Sequence, residues 1–353
     1  MRPAAWGTLL TVPALWIVYN AWLRNTLDMG DPDWISESAV ESQVAAVSEA
    51  LNGLGSPPEI YPLSSVLDAA VRLAGRRDKP RLIFNLAEGF KGNSAWEMNV
   101  AALFELLEIP YTGNSARTLA IAQDKAVTKR LLVSENILTP AWRLYDGRRM
   151  PDLSGLEFPL IAKPSREDAS LGIGPDGVFS SPENLPDALA GLHRKYRQPI
   201  LIESFIDGRE IGASILEEEG EARVLPLSEI SFAGLSPDKP RITSYDAKWS
   251  PDSPEYRGTP TICPADLEPP LRERIEALAL ATFRLLGGKD YGRIDFRLDP
   301  SGKPYILEYN PNPDISPDGG FARSLAASGR SYRDFIRTLL ANNIPSFEEA
   351  LFL

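Results

Sequence analysis

The stretch YGRIDFRLDPSGKPYILEYNPNP, residues 291 to 313, alternates apolar and polar side chains on either side of a linker containing Pro and Gly. Ile294, Phe296 and Leu298 fall on one side of its first run and Arg293, Asp295 and Arg297 on the other, the period-two signature of a strand. Residues 305 to 309 repeat the pattern, and the linker DPSGKP has the composition of a turn. Closing the hairpin symmetrically pairs Leu298 with Tyr305, Asp295 with Glu308 and Arg293 with Asn310. Cβ atoms directly opposite each other lie about 5 Å apart, and like charges so placed repel. A hard divalent cation between the two carboxylates resolves the repulsion, and Asp295, Glu308 and the Asn310 carbonyl are oxygen donors suited to Mg²⁺. The competing reading is a solvated sheet face on which Arg293 and Arg297 neutralise the acids.

A chain of 353 residues, 43% hydrophobic and 24% charged, has room for two or three compact units. Its formal charge of -11 and lack of a basic stripe argue against a nucleic-acid partner. The single cysteine, Cys263, excludes a disulfide framework and a thiolate zinc site, and points to a reducing compartment. The single histidine, His193, lies in the polar run LHRKYRQ and reads as a solvated surface residue. One histidine leaves no two-histidine metal site and little room for His-based nucleophilic catalysis, so chemistry must run on carboxylates, Lys and Arg. Near the start, WGTLLTVPALWIVYNAWL (residues 6 to 23) is apolar enough to raise a membrane segment or signal peptide. Pro13 and Asn20 interrupt it, however, no small-residue cleavage pattern follows, and ALWIVYN fits a first buried strand. The expectation is an extension over residues 1–13, no membrane contact and a cytoplasmic protein.

Beyond that strand come an acidic loop (25–36), a helix in ESAVESQVAAVSEALNGLG, a second buried strand in PRLIFNLAEG and a helix in SAWEMNVAALFELLEI. Strands alternating with helices predict a parallel, doubly wound sheet. One helix is expected from about Leu119 through LAIAQDKAVTKRLLVSENI. FPLIAKPSREDASLGIG reads as a strand running into a Ser- and Gly-rich loop, and PILIESFIDGREIGASIL as two strands joined by a hairpin turn at Asp207-Gly208. The Pro-punctuated segment from Gly234 to Pro264 reads as a lid, and a helix is expected at about 267–286.

Three features of these segments point to a bound triphosphate. Lys163 ends an apolar strand just before the loop containing Ser170, whose backbone N–H groups could close over phosphate oxygens while the lysine supplies charge. Lys125 lies on the preceding helix, and Glu203 and Glu210 flank ESFIDGRE, the second placed to accept from ribose hydroxyls. Taken singly, each also reads as an ordinary surface residue.

The order Lys, Gly loop, Glu hairpin, lid and acid hairpin resembles the D-alanine-D-alanine ligase family of the ATP-grasp superfamily, from about Ala14 to Leu340. PYTGNSARTLAIAQDKAVTK, FPLIAKPSREDASLGIG and GRIDFRLDPSGKPYILEYNPNP carry the resemblance. It implies an α/β fold, α+β in its C-terminal half: a doubly wound domain over 14–117, a central ATP-grasp unit over 118–210, and a C-terminal unit over 211–353 with its lid at 234–264. It implies ATP and two Mg²⁺ ions (or Mn²⁺) as cofactors, small amino acids as substrates and a possible homodimer. By position, Lys125 and Lys163 would hold phosphates with Ser170 in their loop, Glu203 and the backbone near Ile206 would meet adenine, and Glu210 the ribose. Lys248 would reach the terminal phosphate, Asp295, Glu308 and Asn310 would bind metal, and Arg293 would stabilise the oxyanion of a tetrahedral intermediate. The implied activity is phosphorylation of a carboxylate by ATP, followed by attack of an amine on the acyl phosphate.

The departures from the family fall on amino-acid recognition. The N-terminal Gly-Gly, Ser and Glu of the family become NTLDMGDPDWISESAVES, with Glu37 the nearest candidate for the first substrate's ammonium. The lid Tyr is Trp249, which cannot accept a hydrogen bond, the backbone Gly after the hairpin is Asp314, and the carboxylate-binding Ser is Gly319. Arg323 could grip the second substrate's carboxylate instead, or Asp314 could favour an acceptor with an extra amine; as plain structure, Trp249 is lid packing, Asp314 a helix N-cap and Arg323 a solvated face. A ligase for D-alanine, a ligase for another amine and a nucleotide-binding regulator without turnover all stay open at this point.

Overall fold

The first strand, β1 (Leu15–Asn20), is apolar on both faces because both faces are covered. It lies centrally in a three-stranded parallel sheet of order β2-β1-β3, with β2 (Glu59–Leu63) and β3 (Leu82–Leu86). The structure is a computed structural model, and its described residues are 15–20, 32–74, 80–91, 93–167 and 170–344, with backbone alone for 32–39 and 74. On one face of the sheet, Val40, Val44, Val47 and Leu51 of the helix Pro32–Gly53 meet Phe335, Ile336, Leu339 and Leu340 of the helix Tyr332–Asn343. Spacings of three and four put each set on one helical stripe, and each fully buried aliphatic or aromatic side chain contributes about 1.5–3 kcal/mol. On the other face the helices Val66–Ala74 and Glu97–Leu106 bury Leu73, Val100, Ala101 and Phe104. The doubly wound expectation is met, with the last helix sharing the first domain's core.

Two antiparallel sheets follow. One has the order β4-β7-β5-β6, from β4 (Trp142–Tyr145), β5 (Leu160–Pro164), β6 (Val178–Phe179) and β7 (Ile200–Ser204), backed by Leu185 and Leu189 of the helix Leu185–Tyr196. The other has the order β11-β10-β8-β12-β13, with β9 on β8; its strands are β8 (Arg209–Glu218), β9 (Glu221–Val224), β10 (Ser228–Ile230), β11 (Thr261–Ile262), β12 (Tyr291–Leu298) and β13 (Pro304–Asn310). Ile211, Ala213, Ile294, Phe296 and Ile306 of this sheet pack on Ile275, Ala279 and Phe283 of the helix Pro269–Leu285. The apolar side of the opening hairpin is therefore core. The lid leaves β10 and returns at β11, carrying the short helices Tyr245–Trp249 and Pro254–Gly258.

Four local expectations are corrected. β7 and β8 are not a hairpin but belong to different sheets. The glycine of Asp207-Gly208 serves close approach, since a Cβ at Gly208 would stand 1.7 Å from the Leu298 carbonyl oxygen. The hairpin register holds at Arg293–Asn310 and Asp295–Glu308, but a shift after Asp295 sets Leu298 opposite Pro304 instead of Tyr305. The helix expected from Leu119 is two, Ala116–Gln123 and Lys125–Ser134, broken at Asp124, whose carboxylate accepts from the Ala126 and Val127 amides. His193 is half-buried, its Nδ1 2.8 Å from the Gln198 carbonyl oxygen and its ring edge-on to Tyr145. Residues 1–13 lie outside the described residues. Among the described ones no helix is long and apolar enough to cross a membrane.

Candidate active site

The polar face of β12 and β13 looks into a cavity of about 820 Å³ between the two antiparallel sheets, closed over by the lid. Strand alternation does the sorting: Ile294 and Phe296 go into the core, and Arg293, Asp295 and Arg297 onto the cavity side. Arg293 grips Asp295 with two bonds, Nε to Oδ1 at 2.6 Å and a terminal nitrogen to Oδ2 at 2.8 Å. Burial works against the Arg293 charge, but Asp295 and Glu308 outweigh it and raise its pKa further. Opposite, Glu308 lies 3.3 Å from the Lys125 ammonium. Burial alone would raise the Glu308 pKa, yet Lys125, Lys163, Arg293 and Lys248 together hold it at about 2, so the carboxylate is ionised at any ordinary pH. The Lys248 pKa is also lowered, by burial and by Arg293 against the pull of Glu308, Asp295 and Asp314, which in a lysine disfavours the charged form.

The helix break at Asp124 makes Lys125 the first residue of its helix, where its ammonium also donates to the Glu167 carbonyl at 2.6 Å. Lys163 at the end of β5 pairs with Glu203 on β7 at 2.8 Å. Ser170 has a left-handed φ of 63° and donates to the Thr243 carbonyl at 2.9 Å, tying the Ser/Gly loop to the lid. Glu210 accepts from Thr243 at 2.9 Å and pairs with Arg297 at 2.8 Å. Arg297 thus neutralises Glu210, not the hairpin acids. It also donates to the Gly208 and Arg241 carbonyls and lies over the rings of Phe205 and Phe232.

Lys125, Lys163, Ser170, Glu203, Ile206, Glu210, Lys248, Trp249, Arg293, Asp295, Glu308, Asp314, Gly319 and Arg323 all border this one cavity. Asn310 does not border it, because its carboxamide oxygen turns back to accept from the Asn312 amide at 3.2 Å. The Glu37 side chain lies outside the described residues, although Ser42 of the same helix reaches the cavity. Asp314 is not a helix cap: its Oδ1 accepts from the Ser316 amide and hydroxyl, and Gly319 is the N-cap residue of the helix Gly320–Ala327. Sequence reasoning passed over Arg297 as a partner of Glu210 and Lys129 as a partner of Glu203, although the Lys125 and Lys129 spacing places both on one helix face.

Among the described residues no group of three or more His, Cys, Asp or Glu side chains is gathered around a metal position. Two facing carboxylates are nevertheless the donor number that Mg²⁺ takes from protein when phosphates complete its shell, so Asp295 and Glu308 fit that ion.

A parallel three-stranded domain before two antiparallel sheets that enclose a cavity lined by lysines is the ATP-grasp architecture. Solved structures share it: the D-alanine–D-alanine ligase of Bacillus anthracis complexed with ATP has a TM-score of 0.70 at 20% identity over 96% of this chain and 99% of that one. The VanG D-Ala:D-Ser ligase of Enterococcus faecalis has a TM-score of 0.71 at 18% identity over 94% of this chain and 100% of that one. Residues 149–341 match the family model of the D-ala D-ala ligase C-terminus. The D-alanine–D-alanine ligase of Bordetella avium is 32% identical over 84% of this chain and 88% of its own length, and an uncharacterized protein of Sinorhizobium fredii is 32% identical over 73% of each. The chain belongs to the D-alanine–D-alanine ligase family of ATP-dependent ligases.

Proposed function

We propose that the protein joins two small amino acids in an ATP-dependent ligation, with D-alanyl-D-alanine as the leading product. The observation that carries this is Glu308, a carboxylate facing Asp295 across the hairpin, 3.3 Å from the Lys125 ammonium and bordering one cavity with Lys163, Lys248 and Arg293. Such a set of cations neutralises a triphosphate and the charge that develops as phosphoryl passes to a carboxylate, which is most of what this chemistry asks of a protein.

In this reading Lys125 and Lys163 hold phosphates beside the Ser170 loop, and Lys248 reaches the terminal one from the lid. Glu203 and Ile206 face adenine, Glu210 the ribose. Asp295, Glu308 and Asn310 would hold two Mg²⁺ ions, or Mn²⁺, and Asn310 would have to give up its bond from Asn312 to do so. A metal held there would supply positive charge to offset that of the phosphates. Arg293, anchored by Asp295, presents its remaining donors to the oxyanion formed when the amine attacks. The lid excludes water, which would otherwise hydrolyse the acyl phosphate. Glu37 would meet the ammonium of the first amino acid, and Trp249, Asp314, Gly319 and Arg323 line the acceptor end. The units 14–117, 118–210 and 211–353, a cytoplasmic location and a homodimer belong to the same proposal; size-exclusion chromatography with light scattering tests the dimer.

One observation favours a second reading of the acceptor. A Cβ at position 319 would stand 3.1 Å from Asp314 Oδ2, so a bare glycine leaves room for a carboxylate at the cavity wall, which suits an acceptor with an additional positive charge. Purified protein with ATP, Mg²⁺ and a panel of D- and L-amino acids and diamines, read by phosphate release and product mass, separates the readings. Dipeptide from D-alanine alone supports the first, and product only with cationic acceptors supports the second. Nucleotide binding without phosphate release from any pair contradicts both and leaves a regulator.

A further inference from the structure

Lys129 is a buried cation beside the cavity to which the roles above give no work. It sits one turn after Lys125, is 0% exposed and does not border the cavity. Its ammonium lies 2.6 Å from Glu203 Oε1 and donates to the Thr139 hydroxyl at 2.5 Å. Thr139 in turn donates to the Ile306 carbonyl on β13 at 2.8 Å, so the ammonium is fixed from both antiparallel sheets. The other carboxylate oxygen, Glu203 Oε2, is held by Lys163 at 2.8 Å.

The two lysines are not equivalent. Lys163 borders the cavity and can turn toward an anion there, whereas Lys129 is sealed behind the wall. A triphosphate therefore competes with Glu203 for Lys163 but not for Lys129. Once Lys163 turns, Oε2 becomes an acceptor in a cavity whose lining also includes the apolar Pro140, Ile161, Phe205 and Ile206, surfaces suited to a base. A buried carboxylate left with no cation would take up a proton and become a donor.

We infer that Lys129 is a positioning residue for nucleotide selection: it keeps Glu203 ionised and aimed, so that the carboxylate accepts from a base bearing an exocyclic amino group and rejects one presenting a carbonyl oxygen. The inference rests on the reading that the cavity takes a nucleoside triphosphate. Burial pulls the Lys129 pKa down and Glu203 partly restores it, to about 8, so the ammonium persists at neutral pH. Departure of Lys163 removes a repulsion and strengthens the pair.

Calorimetric titration of the full chain with ATP and with inosine triphosphate, without amino acids, tests this apart from turnover. The parent protein is expected to prefer ATP about tenfold or more, the discrimination of a site built to pair one polar edge. Lys129→Met should lose that preference through weaker ATP binding, with inosine triphosphate bound as well as before or more tightly, since a protonated Glu203 donates to its carbonyl oxygen. In a Glu203→Gln background it should change the ratio no further. Thr139→Val, which keeps the charge and loosens its anchor, should lower the ratio by a smaller factor, and it carries the test if Lys129→Met does not fold. Equal weakening of both nucleotides in the folded variants, or an unchanged ratio, would assign Lys129 to the fold alone and overturn the inference. A parent that binds ATP selectively but makes no peptide would remove the proposed ligation and leave the inference standing; a parent that binds neither nucleotide removes both.

Discussion

Glu308 is one methylene longer than Asp295 and faces it across the hairpin, and the difference in what each touches decides their parts. Asp295 is committed to Arg293, while Glu308 is shared among several cations and keeps its side chain 30% exposed to the cavity. Glu308→Gln is isosteric but removes the charge that gathers metal and phosphate. Phosphate release should fall by about three orders of magnitude or more, the scale of losing an essential electrostatic group, with the circular dichroism spectrum unchanged; near-parental turnover would refute the metal assignment. Glu203 gives a prediction in pH. Burial would raise its pKa, but Lys129 and Lys163 overcome that and hold it below the ordinary 4.5. A depressed carboxylate adds stability that is complete above its unfolded pKa and lost as the pH falls through the folded value. Lys129→Met removes one of the two cations, so the folded pKa rises and acid unfolding should begin at higher pH than in the parent. Melting curves between about pH 3 and 6 check it, and superimposable acid limbs would contradict it. The same variant should lose less than the about 3–5 kcal/mol of a fully stranded buried charge near neutral pH, because Lys163 still pairs with Glu203.

At the scale of elements, two breaks in regular structure aim the site. Asp124 ends one helix and caps the next, which puts Lys125 where its ammonium meets both Glu167 and Glu308. Asp124→Ala should cost about 1 kcal/mol of stability as a lost cap, and it should also raise the KM for ATP several-fold; a stability loss with no change in KM would separate the cap from the aim. Gly208 lets the link between the two antiparallel sheets pass against the end of β12. Gly208→Ala forces that backbone contact apart and should lower the melting temperature by several degrees, since overpacking costs about 1–3 kcal/mol. Period-two alternation made the hairpin and its facing acids legible in the sequence, and composition made β1 and β3 legible. β2 was not: SPPEIYPL is broken by proline, which the chain tolerates because β2 lies at the sheet edge. The register shift in the hairpin and the separation of β7 from β8 depend on contacts between distant segments, to which a local turn signal is blind. Lys129 was missed for a similar reason: its spacing puts it on one helix face with Lys125, but nothing in LAIAQDKAVTKRL says that this face is buried.

Over the whole molecule, the cavity is lined by segments far apart in the sequence. Ser42 enters the cavity from the helix Pro32–Gly53, Lys125 from the helix Lys125–Ser134, Lys163 and Glu203 from β5 and β7, and Arg293, Asp295 and Glu308 from β12 and β13. The C-terminal helix locks this arrangement by burying Phe335, Ile336, Leu339 and Leu340 with Leu15, Ile17 and Phe84. A ligand bridging these segments should therefore stabilise the whole fold, and ATP with Mg²⁺ should raise the melting temperature more than ATP with chelator. The most direct test of the central claim is a single assay: purified protein, ATP, Mg²⁺ and D-alanine, with phosphate and product mass recorded together. The account predicts one phosphate released for each D-alanyl-D-alanine formed. Phosphate release without dipeptide would move the acceptor elsewhere, and absence of both, with every amino acid or diamine supplied, would contradict the claim that this cavity is a ligase site.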